Sequence, residues 1–125
     1  MAITNPYSKY NESKIFNASQ EELTLMLFDG ALKFCNQGMY AIEAGEVAKA
    51  HGLIIRVQDI IEEFQITLDT KYAISQDFAR MFEYIHRRLV EANAAKNISI
   101  LEEVRDLLRE LRDVWKQAMQ IAKNS

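Results

Sequence analysis

Apolar residues recur at intervals of three and four along most of this chain, in four successive stretches of about 20–27 residues. This spacing places the apolar side chains on one side of an α-helix. The 125 residues include one proline and four glycines, too few for the many tight turns of a small β-sheet protein. Short connections between helices favour antiparallel neighbours. The sequence therefore predicts an all-α fold, an antiparallel four-helix bundle.

Helix-start and helix-stop signals divide the chain into an arm and a bundle. Residues 1–18 contain the only proline and no helical period, so we expect a mobile N-terminal arm and a bundle domain over residues 19–125. The run Ser19–Glu22 is a capping box and opens the first helix, which we expect to end near Gly45. The other expected elements are a second helix from Glu46 to Asp69, a loop from Thr70 to Asp77, a third helix to about Asn97 and a fourth opened by a capping box at Ser99–Glu102.

Each predicted helix has one apolar face that we expect to form the core. These faces are Leu23, Leu27, Ala31, Phe34, Gly38 and Ala41; Ala50, Leu53, Val57, Ile60, Ile61, Phe64 and Leu68; Phe78, Met81, Phe82, Ile85, Leu89 and Ala92; and Leu101, Val104, Leu108, Leu111, Trp115 and Met119. The first and fourth helices carry a second stripe: Leu25, Phe28, Leu32, Cys35 and Met39, and Ile100, Leu107, Val114 and Ile121. Each helix of a bundle packs against two neighbours, and this accounts for most of the width of these apolar surfaces.

Charge and cysteine content exclude several classes of protein. Fifteen Lys and Arg against 18 Asp and Glu give a net charge of −3, which argues against a nucleic-acid partner or an anionic membrane surface. No apolar run of 18 residues occurs, so we expect a soluble, cytoplasmic protein without direct membrane insertion. The single cysteine, Cys35, excludes a disulfide framework. Its place in an apolar stripe favours an inert core thiol.

One pair of residues has the spacing of a metal site. Glu83 and His86 form the Glu-x-x-His pattern that di-iron bundles use twice, together with two further inward carboxylates. No second pair exists, so solvated helix surface is the favoured interpretation and a helical metal-binding protein is the alternative. The sequence also lacks a histidine and an acidic residue spaced to activate Cys35 as a nucleophile, and it lacks a glycine-rich phosphate loop. We therefore expect no enzymatic activity, no catalytic residues and no cofactor.

A few apolar side chains are predicted outside the core. Ile55 and Ile66 fall on the polar side of the second helix, and Tyr7 and Tyr10 lie in the arm. Such residues indicate a module that binds a partner helix, although self-association through Ile55 and Ile66 is an alternative. The hypothetical partner-binding residues are Tyr7, Tyr10, Leu25, Phe28, Ile55, Ile66, Leu107 and Val114.

With those residues considered, the chain resembles the flagellin export chaperone family, FliS. The resemblance covers about nine-tenths of the chain and depends on the order and spacing of several runs. They are NPYSKY at 5–10, ASQEELTLMLFDGALKF at 18–34, IIEEF at 60–64 with Leu68-Asp69, YIHRRLVEAN at 84–93 and LRDVWKQA at 111–118. Gln20 stands where many members have proline, and Phe28 where tyrosine is common.

The resemblance implies a cytoplasmic chaperone for type III export. Members bind the disordered C-terminal segment of flagellin, which would otherwise polymerise prematurely, on an elongated apolar surface of a helical bundle. The N-terminal arm of such chaperones covers part of this surface when flagellin is absent. The tyrosine that matches Tyr10 is implicated in docking at a component of the flagellar export gate.

Overall fold

A computed structural model describes residues 19–68 and 73–124 of the chain. Its elements are α1 (Gln20–Glu43), α2 (Val47–Thr67), α3 (Ala73–Ala95) and α4 (Ile98–Asn124). Helix α1 packs against α2 and α4, and α3 packs against the same two helices, so the four follow one another around the bundle. The predicted four-helix bundle is confirmed.

Contacts between α1 and α4 show that these two helices run antiparallel. The Cys35 thiol, late in α1, donates a hydrogen bond to the carbonyl of Leu101, early in α4, at 3.3 Å. The Trp115 indole, late in α4, donates to the carbonyl of Glu21, early in α1, at 3.2 Å. Helices α2 and α3 are likewise antiparallel, because His51 contacts Asn93 and Glu62 contacts His86.

The two predicted capping boxes have different outcomes. The Ser19 hydroxyl accepts a hydrogen bond from the Glu22 amide at 3.2 Å, as predicted. The box at Ser99 is wrong, because α4 begins at Ile98 and the Asn97 side chain accepts from the Ile100 amide at 3.3 Å. The chain reverses at Lys96, which has a φ of 50°, and the helix starts as soon as that turn is complete.

Two other boundaries also differ from the prediction. The expected loop over Thr70–Asp77 is wrong in its second half, because α3 already begins at Ala73. Helix α1 ends at Glu43, and Gly45 follows with a φ of 74°. This left-handed conformation is the one that glycine adopts without steric cost, so Gly45 ends the helix as expected.

The core runs the length of the bundle and differs from the prediction mainly in α1. The supposed second stripe of α1 is the more deeply buried one: Phe28 and Cys35 are fully buried, whereas Phe34 and Leu27 are only partly buried. In α2 the structure adds Ile54, which is fully buried. Trp115 and Met119, predicted as core, are partly exposed near the end of α4.

The two ends of the bundle are built differently. At the closed end, residues 44–46 join α1 to α2 and residues 96–97 join α3 to α4. At the open end, α1 starts, α4 finishes, and α2 is followed by residues 68–72 before α3. At the closed end, two short links join the four helix ends in pairs. At the open end, one link joins α2 to α3, and no link joins the start of α1 to the end of α4.

Candidate functional site

A cavity of about 420 Å³ opens at the open end of the bundle, and we call it the end cavity. All four helices line it, which places it between their ends. Its floor is apolar, and Trp115, Met119 and Leu68 contribute apolar side chains to the lining. Glu21 is the only carboxyl group among the described residues that line it. The end cavity is therefore suited to apolar side chains of a ligand.

Four phenylalanines form the floor of the end cavity. The Phe64 and Phe82 rings are stacked with centroids 4.9 Å apart, and Phe28 lies 4.6 Å from Phe64. Phe78 meets the Phe82 ring edge-on at 5.9 Å. Aromatic pairs in these geometries contribute ~0.5–1.5 kcal/mol beyond their burial. The floor is thus closely packed and buried, whereas Trp115, Ala118 and Met119 nearer the helix ends are partly exposed.

A second apolar feature, the α4 stripe, consists of Leu107, Val114 and Ile121. Leu107 is partly buried against the core, Val114 is 38% exposed and Ile121 is 70% exposed. The stripe therefore emerges from the core toward the open end. Ala118 lies one turn beyond Val114 and lines the end cavity, so the stripe and the cavity form one continuous apolar region.

A polar network borders the α4 stripe where α4 meets α3. Glu103 accepts hydrogen bonds from the Tyr84 hydroxyl and from Nε of Arg88, each at 2.7 Å. Arg88 also pairs with Glu91 at 2.7 Å. The hydrogen bonds from Arg88 and then Tyr84 lower the pKa of the Glu103 carboxyl. Leu107 lies four residues after Glu103, on the same side of α4. The network therefore holds this side of α4 against α3, and the α4 stripe runs along it.

The predicted partner-binding residues fall into separate groups. Leu107 and Val114 lie in the α4 stripe, and Leu25 is partly buried in an adjoining cleft between α1 and α4 with Lys116 and Met119. Ile55 is partly buried and Ile66 is 78% exposed, both on α2. Helices α2 and α4 lie diagonally across the bundle. One flat surface does not hold both groups.

Phe28 was expected outside the core, and this placement is wrong. Its side chain is fully buried and packs against three other phenylalanines. Phe28 lies between the two predicted faces of α1, and a helix with two neighbours buries that whole arc. It belongs to the floor of the end cavity. Tyr7 and Tyr10 lie outside the described residues.

Trp115 and Met119 are the candidate binding residues that the sequence assigned to the core instead. Their spacing continues the core face of α4, and spacing alone does not reveal where the neighbouring helices begin and end. The only signal for them was their position near the end of the last helix. Met119 lines both the end cavity and the adjoining cleft.

The side chains considered for metal chemistry and for redox chemistry lie apart from one another in the bundle, Glu83 and His86 on α3 and Cys35 on α1. Glu83 is exposed, and Nε2 of His86 lies 2.9 Å from a carboxylate oxygen of Glu62 on α2. Within residues 19–68 and 73–124, no three His, Cys, Asp or Glu side chains are grouped to hold a metal ion. Cys35 is fully buried, and burial raises the pKa of its thiol to about 12. The prediction of an inert core thiol agrees with this environment.

No helix in the described ranges is both long and apolar enough to cross a membrane. Comparison with known proteins identifies the family of this chain. A family model described as "Flagellar protein FliS" matches residues 3–122. The chain is 39% identical over 120 residues to the flagellar secretion chaperone FliS of Bacillus subtilis, which covers 96% of this chain and 90% of the relative.

Two further relatives carry the same name. The Escherichia coli chaperone is 31% identical over 111 residues, with 86% of this chain and 82% of the relative covered. The Salmonella typhimurium chaperone is 32% identical over 109 residues, with 85% and 81% covered. The resemblance found in the sequence is thereby confirmed, and the chain belongs to the FliS family of flagellar secretion chaperones.

Proposed function

We propose that this chain binds the disordered C-terminal segment of flagellin in the cytoplasm, prevents its premature polymerisation and delivers it to the flagellar export apparatus. The family assignment supports a role in flagellar secretion, and the apolar region at the open end gives that role a physical basis. The chaperone acts by binding alone, without a cofactor or a catalytic residue.

The α4 stripe and the end cavity together are the observation that carries this proposal. A disordered segment loses several kcal/mol of ordering free energy when it binds. An extended contact offsets that cost better than a small pocket. Helix α4 has 27 residues, or ~40 Å of length, and its apolar stripe continues into a cavity of about 420 Å³. The client would lie along the stripe and place apolar side chains in the cavity.

The remaining expected residues take secondary roles in the proposal. Leu25 extends the contact into the adjoining cleft, and Phe28 supports it from below as part of the floor. Ile55 and Ile66 on α2 provide a separate contact for a segment that wraps around the bundle. By resemblance to the family, Tyr7 and Tyr10 belong to an arm that competes with the client, and Tyr10 also contacts a component of the export gate.

Calorimetry with a peptide of the flagellin C-terminal segment tests the main surface. Val114→Asp should weaken binding at least tenfold, ~1.4 kcal/mol, because it places a charge in the apolar contact. Val90→Asp is the matched control, since Val90 is 48% exposed and lies two residues beyond Arg88, on a different side of α3. Equal affinities of both variants and the unmodified protein would contradict the proposal.

The α2 contact has its own test. Ile66→Asp and Ile55→Asp should each weaken binding of the flagellin peptide by a smaller factor than Val114→Asp does, because each removes only a secondary contact. If both bind like the unmodified protein while remaining folded, α2 is not part of the client surface. Light scattering against concentration, run on the same variants, shows whether Ile55 and Ile66 serve self-association instead.

The competing role of the arm predicts a kinetic effect. A tethered competitor acts at high effective concentration. Deletion of residues 1–17 should therefore speed association of the flagellin peptide in stopped-flow fluorescence, with little change in the free energy of unfolding. An unchanged or slower association rate would exclude the arm as a competitor.

A further inference from the structure

The boundary between α1 and α2 carries a second apolar strip, which we call the α1–α2 seam and define by Gly30, Phe34 and Ile60. All three residues are partly exposed. A Cβ atom at Gly30 would lie 3.7 Å from Cδ1 of Ile60, so the isoleucine lies over the glycine. Phe34 follows one turn later and packs partly on the core. The seam is apolar, narrow and open to solvent.

Two cations lie over the Phe34 ring. The guanidinium carbon of Arg56 is 5.3 Å from the ring centroid, and the Lys33 ammonium is 6.0 Å from it. Both distances fall within the range of cation–π attraction, ~6 Å. Arg56 comes from α2 and Lys33 from α1, so the ring gathers positive charge from both sides of the seam.

These cations differ from most arginines of the described part of the chain in their partners. The side chains of Arg80, Arg88, Arg105 and Arg112 each lie within 4 Å of a carboxylate. Within the described ranges, neither Arg56 nor Lys33 has such a carboxylate. A guanidinium held over an aromatic ring still has several N–H donors that can bind a carboxylate. Arg56 is therefore available to an incoming carboxylate, which it can bind with two hydrogen bonds.

The charges along α2 limit where such a carboxylate could bind. Lys49 lies seven residues before Arg56, on the same side of the helix, and Glu63 lies seven residues after it. Lys33 and Arg56 therefore bring positive charge to the Phe34 ring, whereas Asp59, three residues after Arg56, and Glu63 bring negative charge to α2 around Ile60. A ligand would place its carboxylates near Lys33 and Arg56 and its apolar side chains toward Gly30 and Ile60.

We propose that the α1–α2 seam docks an acidic amphipathic helix of a partner protein. One Asp or Glu side chain of that helix pairs with Arg56 and Lys33, and a leucine or isoleucine three or four residues away packs over Gly30 and Ile60. Two cations in a chain of net charge −3 are too few to hold a nucleic acid or an anionic bilayer. The seam lies on α1 and α2, apart from the α4 stripe, so this inference does not depend on flagellin binding.

Synthetic peptides and the full chain test this proposal. The probe is a fluorescent 18-residue helical peptide with leucines spaced by three and four and glutamates beside them; its twins carry glutamine or lysine in place of glutamate. We expect the glutamate peptide to bind at least tenfold tighter than the lysine twin, with an affinity that falls as salt rises. Amide NMR shifts should move at Gly30, Phe34 and Ile60.

Two charge-reversal variants complete the test. Arg56→Glu should weaken binding of the glutamate peptide at least tenfold. Arg109→Glu is the control, because it makes the same change in net charge at an exposed arginine of α4. Equal binding of the glutamate and lysine peptides, equal effects of the two variants, or shifts confined to the α4 stripe would overturn the proposal. Preference of the seam for phosphatidylglycerol vesicles or single-stranded RNA over the glutamate peptide would overturn it as well.

Discussion

The closed and open ends of this bundle both contain large apolar side chains, but they differ in how completely these are buried. At the closed end, Cys35, Ile54 and Leu101 are fully buried, and two short links hold four helix ends in place. At the open end, the aromatic floor is equally buried, but Trp115 and Met119 above it remain partly exposed. The difference teaches that one continuous core can supply stability where the helices are tied together. At the open end the same core is the floor of a cavity, which we propose as part of the binding surface.

The largest expected effect is on the closed end. Leu101→Ala removes a fully buried side chain near Gly38, Cys35 and Ile54, and should lower the free energy of unfolding by ~2–5 kcal/mol. Urea denaturation measures this loss. The affinity of the folded protein for the flagellin peptide should remain unchanged at low temperature. A loss of affinity without a loss of stability would break the distinction between the two ends.

A substitution at the open end should have the opposite pattern of effects, on binding rather than on stability. Met119→Ala truncates a partly exposed side chain that lines both the end cavity and the adjoining cleft. Calorimetry should show about tenfold weaker binding of the flagellin peptide, or ~1.4 kcal/mol. Denaturation should show a loss of stability below ~1 kcal/mol, because surface truncations remove little buried area. A loss as large as that of Leu101→Ala would place Met119 in the structural core.

Two glycines sharpen the comparison through the backbone of the closed half. Gly45→Ala should cost ~1 kcal/mol, because φ is 74° there and a side chain is strained in that conformation. Gly52→Ala should stabilise by ~0.5–1 kcal/mol, since Gly52 lies inside α2 and a Cβ atom there would meet nothing within 4 Å. Thermal unfolding should show a lower stability for Gly45→Ala and a higher stability for Gly52→Ala than for the unmodified protein. Equal signs would show that the turn at Gly45 does not depend on its left-handed conformation.

The smallest expected effect is that of pH on the network between α3 and α4. The pKa of Glu103 is lowered in the folded protein, so its contribution to stability is present above its usual pKa of 4.5 and is lost as the pH falls through the lower folded value. Glu103→Gln should therefore flatten the loss of stability on acidification. Glu110→Gln, an exposed carboxyl of the same helix, is the control. Equal acid profiles would mean that Tyr84 and Arg88 do not stabilise the carboxylate.

The sequence predicted the fold from features that are local. Four helical periods, the capping box at Ser19 and the turn at Gly45 depend on neighbours within a few residues, and the structure confirms each. The error at Ser99 is also local, because Asn97 and Ser99 are both good capping residues and only the turn at Lys96 decides between them.

The candidate site was harder to predict because it depends on where helices end relative to one another. Phe28 and Val114 both lie in second apolar stripes, yet Phe28 is fully buried and Val114 is 38% exposed. The spacing is similar, and the difference comes from the distance to the open end and from the neighbours on each side. The end cavity has no motif of its own, since all four helices contribute to it.

The antiparallel contact of Trp115 with Glu21 places the start of α1 beside the end of α4. A mechanical load applied between these two helix ends would therefore peel α4 from α1 pair by pair rather than shear the whole interface at once. Peeling would reach Trp115 first and Leu101 last. Under tension the end cavity would come apart while the closed end still held, so a client segment held there, as we propose, would be released before the bundle unfolded.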